Sequence, residues 1–318
     1  MSMRITNAFL NNQSVNYLNN NLGILSTLQE KLSSGKNINR ASDDPIGLTR
    51  MLNISNNLTT DNRYSKNVDN AIAEVNAADT AVDNMVSLVQ KAQELVTQAS
   101  NFSNNQTGRD AIAQEINQII DQMVQLGNTE VGGRYVFGGF KTNSPPFTRT
   151  GQYQVDFTGT PTAEPWQRQV EIAKGVTVTI NINGADLLGT SNGTAGPLPV
   201  TVTGSGIFQT LTTTLLDLQA AGDPAQLTEI RNRLDDLSGD LQTITSRQSV
   251  IGAISNRLSL TQDRIEQRGA ILTQQYASIQ NIDQAKMIAD LNYQENVFQA
   301  SLAVTGRVLQ SSLLQFIG

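Results

Sequence analysis

Apolar residues recur every seven positions from Ile230 to Ile279: Ile230, Leu237, Ile244, Ile251, Leu258, Ile265, Leu272 and Ile279. Leu227, Leu234, Leu241, Ile254 and Tyr276 widen this stripe at the three- and four-residue steps of one helix face. No proline interrupts the run, which predicts a helical rod of about 75 Å whose seam needs an equally long partner. Gln248, Ser255, Gln262 and Gly269 hold the second seam position, where a tight coiled coil carries Leu. Two readings follow: one helix of an intramolecular bundle, or a weakened seam kept for neighbouring subunits.

A second rod of the same period spans Pro45 to about Ser100, with Val68, Val75, Val82, Val89 and Val96 at strict sevens. A break at Asn101–Gly108 leads into a shorter helix carrying Ile112, Ile116, Ile119, Met123 and Leu126. Near the N-terminus Val15, Leu18, Leu22, Leu25, Leu28 and Leu32 form a narrow stripe on a helix whose other faces are mostly Asn, Gln and Ser. Such a helix is ordered only when packed against something. The last helix carries Leu291, Phe298, Leu302, Leu309 and Phe316, flanked by Val297, Val304, Val308 and Leu313, an arc too wide for one partner to cover. Leu18, Leu22, Leu25, Leu32, Leu291, Phe298, Leu302, Leu309 and Phe316 are the candidate assembly residues.

Between the helices the texture changes. Gly132–Phe140 reads as a glycine-bounded strand, and Gln152–Phe157 and Val176–Ile182 alternate at period two around the single tryptophan, Trp166. The predicted fold is mainly α, a long antiparallel helical bundle or coiled coil formed by both chain ends, with one small inserted β domain. The expected divisions are a terminal assembly domain (1–34 and 285–318), a long-helix rod domain with a short β segment (42–143 and 206–284), and an outer β domain (144–205). Because the insertion enters and leaves through turn-rich segments, its removal is expected to leave the helical core continuous.

Composition narrows the chemistry. The chain has no Cys and no His, which removes Ser-His-Asp and Cys-His sites and the usual zinc ligands. A net charge of −6, with dispersed basic residues, gives no footprint for nucleic acid or an anionic membrane. Asn and Gln make up about a fifth of the residues. An enzyme with its site in the β domain needs clustered carboxylates, and only Asp156, Glu164, Glu171 and Asp186 stand there, widely spaced. A membrane-active helix would be cationic on its polar face, and the last helix has only Lys286 and Arg307. Paired glycines at 132–133 and 138–139 lack the following Lys-Ser/Thr of a phosphate loop, and Asp43-Asp44 reads as helix capping. No catalytic, cofactor or metal residues are assigned, and no cofactor is expected.

The stretch Leu32–Leu48 is a helix stop, linker and start: Gly35 for the cap, Ser42–Asp44 for the next N-cap, Pro45 in its first turn. Here, and in the opening Met3-Arg4-Ile5-Thr6-Asn7, the chain resembles bacterial flagellins and flagellar hook-associated proteins. Asn39–Pro45 and Tyr135-Val136-Phe137-Gly138-Gly139 are closer to the members that join hook to filament than to filament subunits. Ile279–Gly318 is similar to the family's C-terminal region, with Asp283-Gln284-Ala285 where an acidic pair is common. The resemblance covers about residues 3–147 and 205–318 and implies a structural protein. It implies export through the flagellar type III apparatus without a cleaved signal, and assembly with copies of itself. Hook-associated protein 1 and flagellin would be axial neighbours, and a flagellar export chaperone would hold the C-terminal helix. In flagellins the region matching Gln90–Leu95 is read by an innate immune receptor; here Lys91 and Gln93 replace its two arginines.

Overall fold

The computed structural model describes residues 4–101, 106–160, 167–193, 202–220 and 224–317. In chain order these form α1 (Arg4–Ser34), α2 (Pro45–Asn101), α3 (Gln106–Gly127), β1 (Glu130–Val131), β2 (Arg134–Tyr135), β3 (Phe147–Gly151), β4 (Gln154–Phe157), β5 (Gln169–Ala173) and β6 (Val176–Thr179). They continue with α4 (Gly184–Leu188), β7 (Thr190–Gly193), β8 (Val202–Ser205), α5 (Gly206–Ala220), α6 (Pro224–Gln280) and α7 (Gln284–Ile317). Trp166, Phe102–Asn105 of the expected break, and Gly222 and Asp223 lie outside the described residues. The chain divides into two units, Met1–Thr60 with Gln267–Gly318, and Asp61–Glu266.

Asp61–Glu266 is organised by α2 and α6. Val68, Val75, Val82, Val89 and Val96 on one helix, and Ile230, Leu237, Ile244, Ile251 and Leu258 on the other, are each at most 2% exposed and belong to one apolar cluster. The polar residues of the second seam position face the partner helix. Gln93 donates to Ser238 at 3.2 Å, Gln248 to Asp83 at 3.5 Å, Ser255 to Asn76 at 3.3 Å and Gln262 to Ser65 at 3.1 Å. Numbers rise on α6 as they fall on α2, so the helices run antiparallel. These three seam residues, Gln248, Ser255 and Gln262, thus belong to an intramolecular bundle and are not left for a neighbour.

The smaller elements close one side of this pair. The expected strand at Gly132–Phe140 is instead a hairpin of two-residue strands: β1 and β2 pair through Glu130↔Tyr135 and Val131↔Arg134. Gly132 (φ 58°) and Gly133 (φ 80°) supply the turn that matches the twist of such strands. A four-stranded antiparallel sheet has the order β3-β4-β7-β8, and β5-β6 is a separate antiparallel ribbon. That ribbon is held to α2 by the ion pair of Arg168 with Glu74, by Asn67 donating to the Glu171 carbonyl at 3.0 Å, and by the Tyr64 hydroxyl donating to the Glu171 carboxylate at 3.3 Å.

The sheet shares its core with the helices. Phe147 of β3 is 1% exposed and its ring lies 5.3 Å from that of Phe208 on α5 and 5.1 Å from that of Phe157. A Cβ on Gly127, the last residue of α3, or on Gly184, the first of α4, would sit 2.7 Å from this ring, so the close approach requires glycine at both places. Asn128 accepts from the Phe147 N–H at 2.9 Å and donates to its carbonyl at 2.8 Å. Arg149 reaches from β3 to the Asn117 carbonyl at 3.2 Å, the Asn117 side chain at 2.6 Å and Asp121 at 2.6 Å, all on α3. A period-two pattern marks strands but carries no information on which helices complete their core, which is why the segment 144–205 read as separable.

Two outcomes test this packing. Replacing Ser144–Thr203 by a flexible linker strips Phe147, Val155 and Leu188 from the shared core and is expected to lower the thermal midpoint of Asp61–Glu266. Phe147→Ala alone should cost about 3–5 kcal/mol in denaturant unfolding; an unchanged midpoint for both variants would show that the helices need no help from the sheet. The second outcome concerns Asp240 on α6, which accepts from Thr210 of α5 at 2.6 Å. Burial pushes its carboxyl up and Asp236 adds to this, against the lowering effect of the Thr210 bond. A raised folded value favours the fold below the unfolded pKa, and that benefit is lost as pH rises through the folded one. Asp240→Asn, which keeps an acceptor for Thr210, should therefore raise the melting temperature at pH 7 more than at pH 4.

Candidate assembly interface

The unit made of Met1–Thr60 and Gln267–Gly318 is built at the linkers. Gly35 (φ 69°) ends α1, and Asp44 accepts from the Gly47 N–H at 2.8 Å, capping α2. Asp43 accepts from the Asn39 and Arg40 N–H groups at 3.0 and 2.8 Å, which hold its carboxyl below the usual range. Both carboxylates are thereby engaged by backbone. The linker between α1 and α2 bridges that between α6 and α7: Lys36 pairs antiparallel with Asn281, Asn37 N–H donates to the Gln280 carbonyl at 2.6 Å, and Ile282 N–H to Gly35 at 3.3 Å. Arg40 pairs with Glu30 at 3.2 Å.

From this bridge α1 and α7 run back alongside each other. Asn21 donates to the Ser301 hydroxyl at 2.9 Å, and Gln294, 9% exposed, donates to the Asn21 side chain and carbonyl at 3.4 Å each. The candidate residues divide. Leu18, Leu25 and Leu32 on α1 and Leu291 and Phe298 on α7 are half-buried, whereas Leu22 is 50% and Leu302 45% exposed. Leu309 and Phe316 lie among residues whose side chains are not described. Phe298 is half-buried, on the side of α7 that bears Gln294 and Ser301.

Exposed large apolar residues of this unit that lie outside the stripes read from the sequence include Phe9, Tyr17 and Ile24 on α1, Ile46 and Leu52 on α2, Ile271 on α6, and Ile288 and Tyr293 on α7, with Tyr17 at 59% and Tyr293 at 70%; Val304, which flanks the α7 stripe, is exposed as well. Tyr17 and Ile24 are seven apart, a repeat outside the leucine stripe. These large apolar side chains stand uncovered in the free chain. Among the described residues no group of three or more His, Cys, Asp or Glu could hold a metal, and no helix is long and apolar enough to cross a membrane. In Gln90–Leu95, Leu95 is 3% exposed, Lys91 pairs with Glu94 at 3.2 Å and Gln93 reaches Ser238, so Gln90, Lys91 and Glu94 form a solvated helix face.

Comparison with known proteins agrees with this architecture. Residues 5–142 match the bacterial flagellin N-terminal helical region and residues 234–317 the bacterial flagellin C-terminal helical region. The chain is 26% identical to a flagellin of Bacillus subtilis over 97% of both chains. It is 24% identical to the flagellar hook-associated protein 3 of Salmonella typhimurium over 98% of this chain and 99% of that one. A solved flagellar hook-associated protein of Vibrio parahaemolyticus superposes with a TM-score of 0.63, at 18% identity, covering 75% of this chain and all of its own. The flagellar hook-associated protein 3 of Legionella pneumophila does so at 0.59, 16% identity, 73% and 98%. With both terminal helical regions matched and the bundle they describe present in the fold, this chain belongs to the bacterial flagellin family.

Proposed function

We propose that this protein is a structural component of the flagellar axis that joins hook to filament by self-assembly through its two ends. The observation that carries the reading is the fold: solved hook-associated proteins match 73–75% of this chain over 98–100% of their own length. Alignment to hook-associated protein 3 of Salmonella typhimurium and of Escherichia coli runs through nearly the whole chain, the β region included. Asn39–Pro45 and Tyr135–Gly139 support the same choice. The second reading, a filament subunit, is favoured by the full-length alignment to Bacillus subtilis flagellin.

In this reading the chain neighbours itself, hook-associated protein 1 on the hook side and flagellin on the filament side. It is exported by the type III apparatus with a chaperone on α7. No bond is made or broken; the work is burial. Leu18, Leu22, Leu25 and Leu32, with Leu291, Phe298, Leu302, Leu309 and Phe316, form the assembly surface, and the exposed Tyr17, Ile24, Tyr293 and Val304 extend it. Each large apolar side chain buried on assembly contributes about 1.5–3 kcal/mol. Leu302 is the sharpest probe, because its exposure in the free chain separates assembly from folding.

A tagged protein imaged in cells should appear as a band where filament meets hook; label along the filament would establish the filament subunit instead. Leu302→Asp should leave the melting temperature of the free chain nearly unchanged, while placing a carboxylate in an apolar contact at a cost of several kcal/mol. Incorporation is expected to fail and flagellin to leak into the medium, with secretion of the variant continuing. Normal incorporation, or a loss of stability like that of a core substitution, would remove Leu302 from the contact.

A further inference from the structure

The half-buried positions of α1 beyond its first turns include Ser14, Leu18, Asn21, Leu25, Leu28 and Leu32. Apart from Gln13, Glu30 and Lys31, no other described position between 12 and 32 is covered. They follow alternating steps of four and three, the seam of a two-helix coiled coil. On α7 Met287, Leu291, Gln294, Phe298, Ser301 and Thr305, covered along with Glu295 and Val297, follow the same steps, with Gln294 and Thr305 the most buried at 9% and 8% exposed. Asn21 is therefore a lone amide in a run of seam leucines, and it meets the two α7 seam residues, Gln294 and Ser301, that flank Phe298 by one step on either side.

We propose that Asn21, held between Gln294 and Ser301, fixes the axial register of α1 against α7. Leucine seams tolerate slippage by whole heptads, because every layer offers the same apolar contact; a half-buried amide held by a buried Gln294 does not, because both must find polar partners. A slip of one heptad, about 10 Å, takes Asn21 away from either Ser301 or Gln294 and leaves a buried polar group short of a partner. The register decides which exposed side chains of α1 stand beside those of α7, and so the outline that a neighbouring subunit meets. That consequence for assembly rests on the proposed function; the register itself does not. The bridge between Lys36 and Asn281 is the competing determinant, since it ties the near ends of both helices.

The chain has no cysteine, so two introduced thiols carry spin labels without interference. With Asn16→Cys on α1 and Ala289→Cys on α7, both exposed, the soluble protein should give one narrow interspin distance. Asn21→Leu keeps a good helix former, so helical circular dichroism should persist while a second distance appears, displaced by about 10 Å. Ser301→Ala, which removes one partner only, should give a smaller second population. If both variants keep the single narrow distance, the linker bridge alone sets the register and the proposal is overturned. A broad distribution in the unsubstituted pair overturns it equally. Neither outcome depends on where the protein sits in a flagellum, so loss of the register lock and loss of the junction reading are told apart.

Discussion

The antiparallel seam between α2 and α6 is the constraint on which the rest depends. Each helix has 57 residues, far beyond the length that propensity alone supports among so many Asn, Ser and Thr residues. Packing supplies what propensity lacks. Five valines on one helix and five Ile or Leu residues on the other are buried almost completely, and polar pairs such as Gln93 with Ser238, Ser255 with Asn76 and Gln262 with Ser65 bond across the edge of this seam. The apolar ladder gives the association its strength. The polar pairs at its edge add hydrogen bonds that only the one register satisfies.

From that seam follow the places of everything smaller. α3 and α5 pack on each other, and the sheet that intervenes in sequence closes over them through Phe147, with Asn128 and Arg149 fastening β3 to the end and flank of α3. The same physics is incomplete in the unit of the chain ends. There the seam of α1 and α7 is half-buried, and exposed apolar residues stand on further faces, Tyr17 and Ile24 on one helix and Tyr293 and Val304 on the other. Asp61–Glu266 buries its stripes within one chain, whereas the ends leave Tyr17, Ile24, Tyr293 and Val304 uncovered in it.

The legibility of these features in the sequence follows from their periods. Seven-residue repeats located α2 and α6 to within a few residues, and Gly35, Asp44 and Pro45 marked the linker because each has a specific backbone task there. The polar seam positions were visible, but whether Gln248 faces a helix of its own chain or a neighbour depends on a partner 165 residues away. The role of Phe147 was hidden for the same reason, since its pocket is assembled from Gly127, Gly184 and Phe208. At the ends the leucine stripe is legible, but Asn21 inside it looks like one more of the many Asn residues of this helix. Its position on the three-four spacing was the available signal.

The central claim is that folding and assembly use different parts of this chain. Amide hydrogen exchange followed on the soluble protein and on the assembled structure tests it directly. The account predicts that exchange in residues 12–34 and 284–307 slows many-fold on assembly, while 68–96 and 230–258 are already protected in the soluble chain and change little. Protection that is gained in the α2 and α6 seam, with α1 and α7 unaltered, would contradict it.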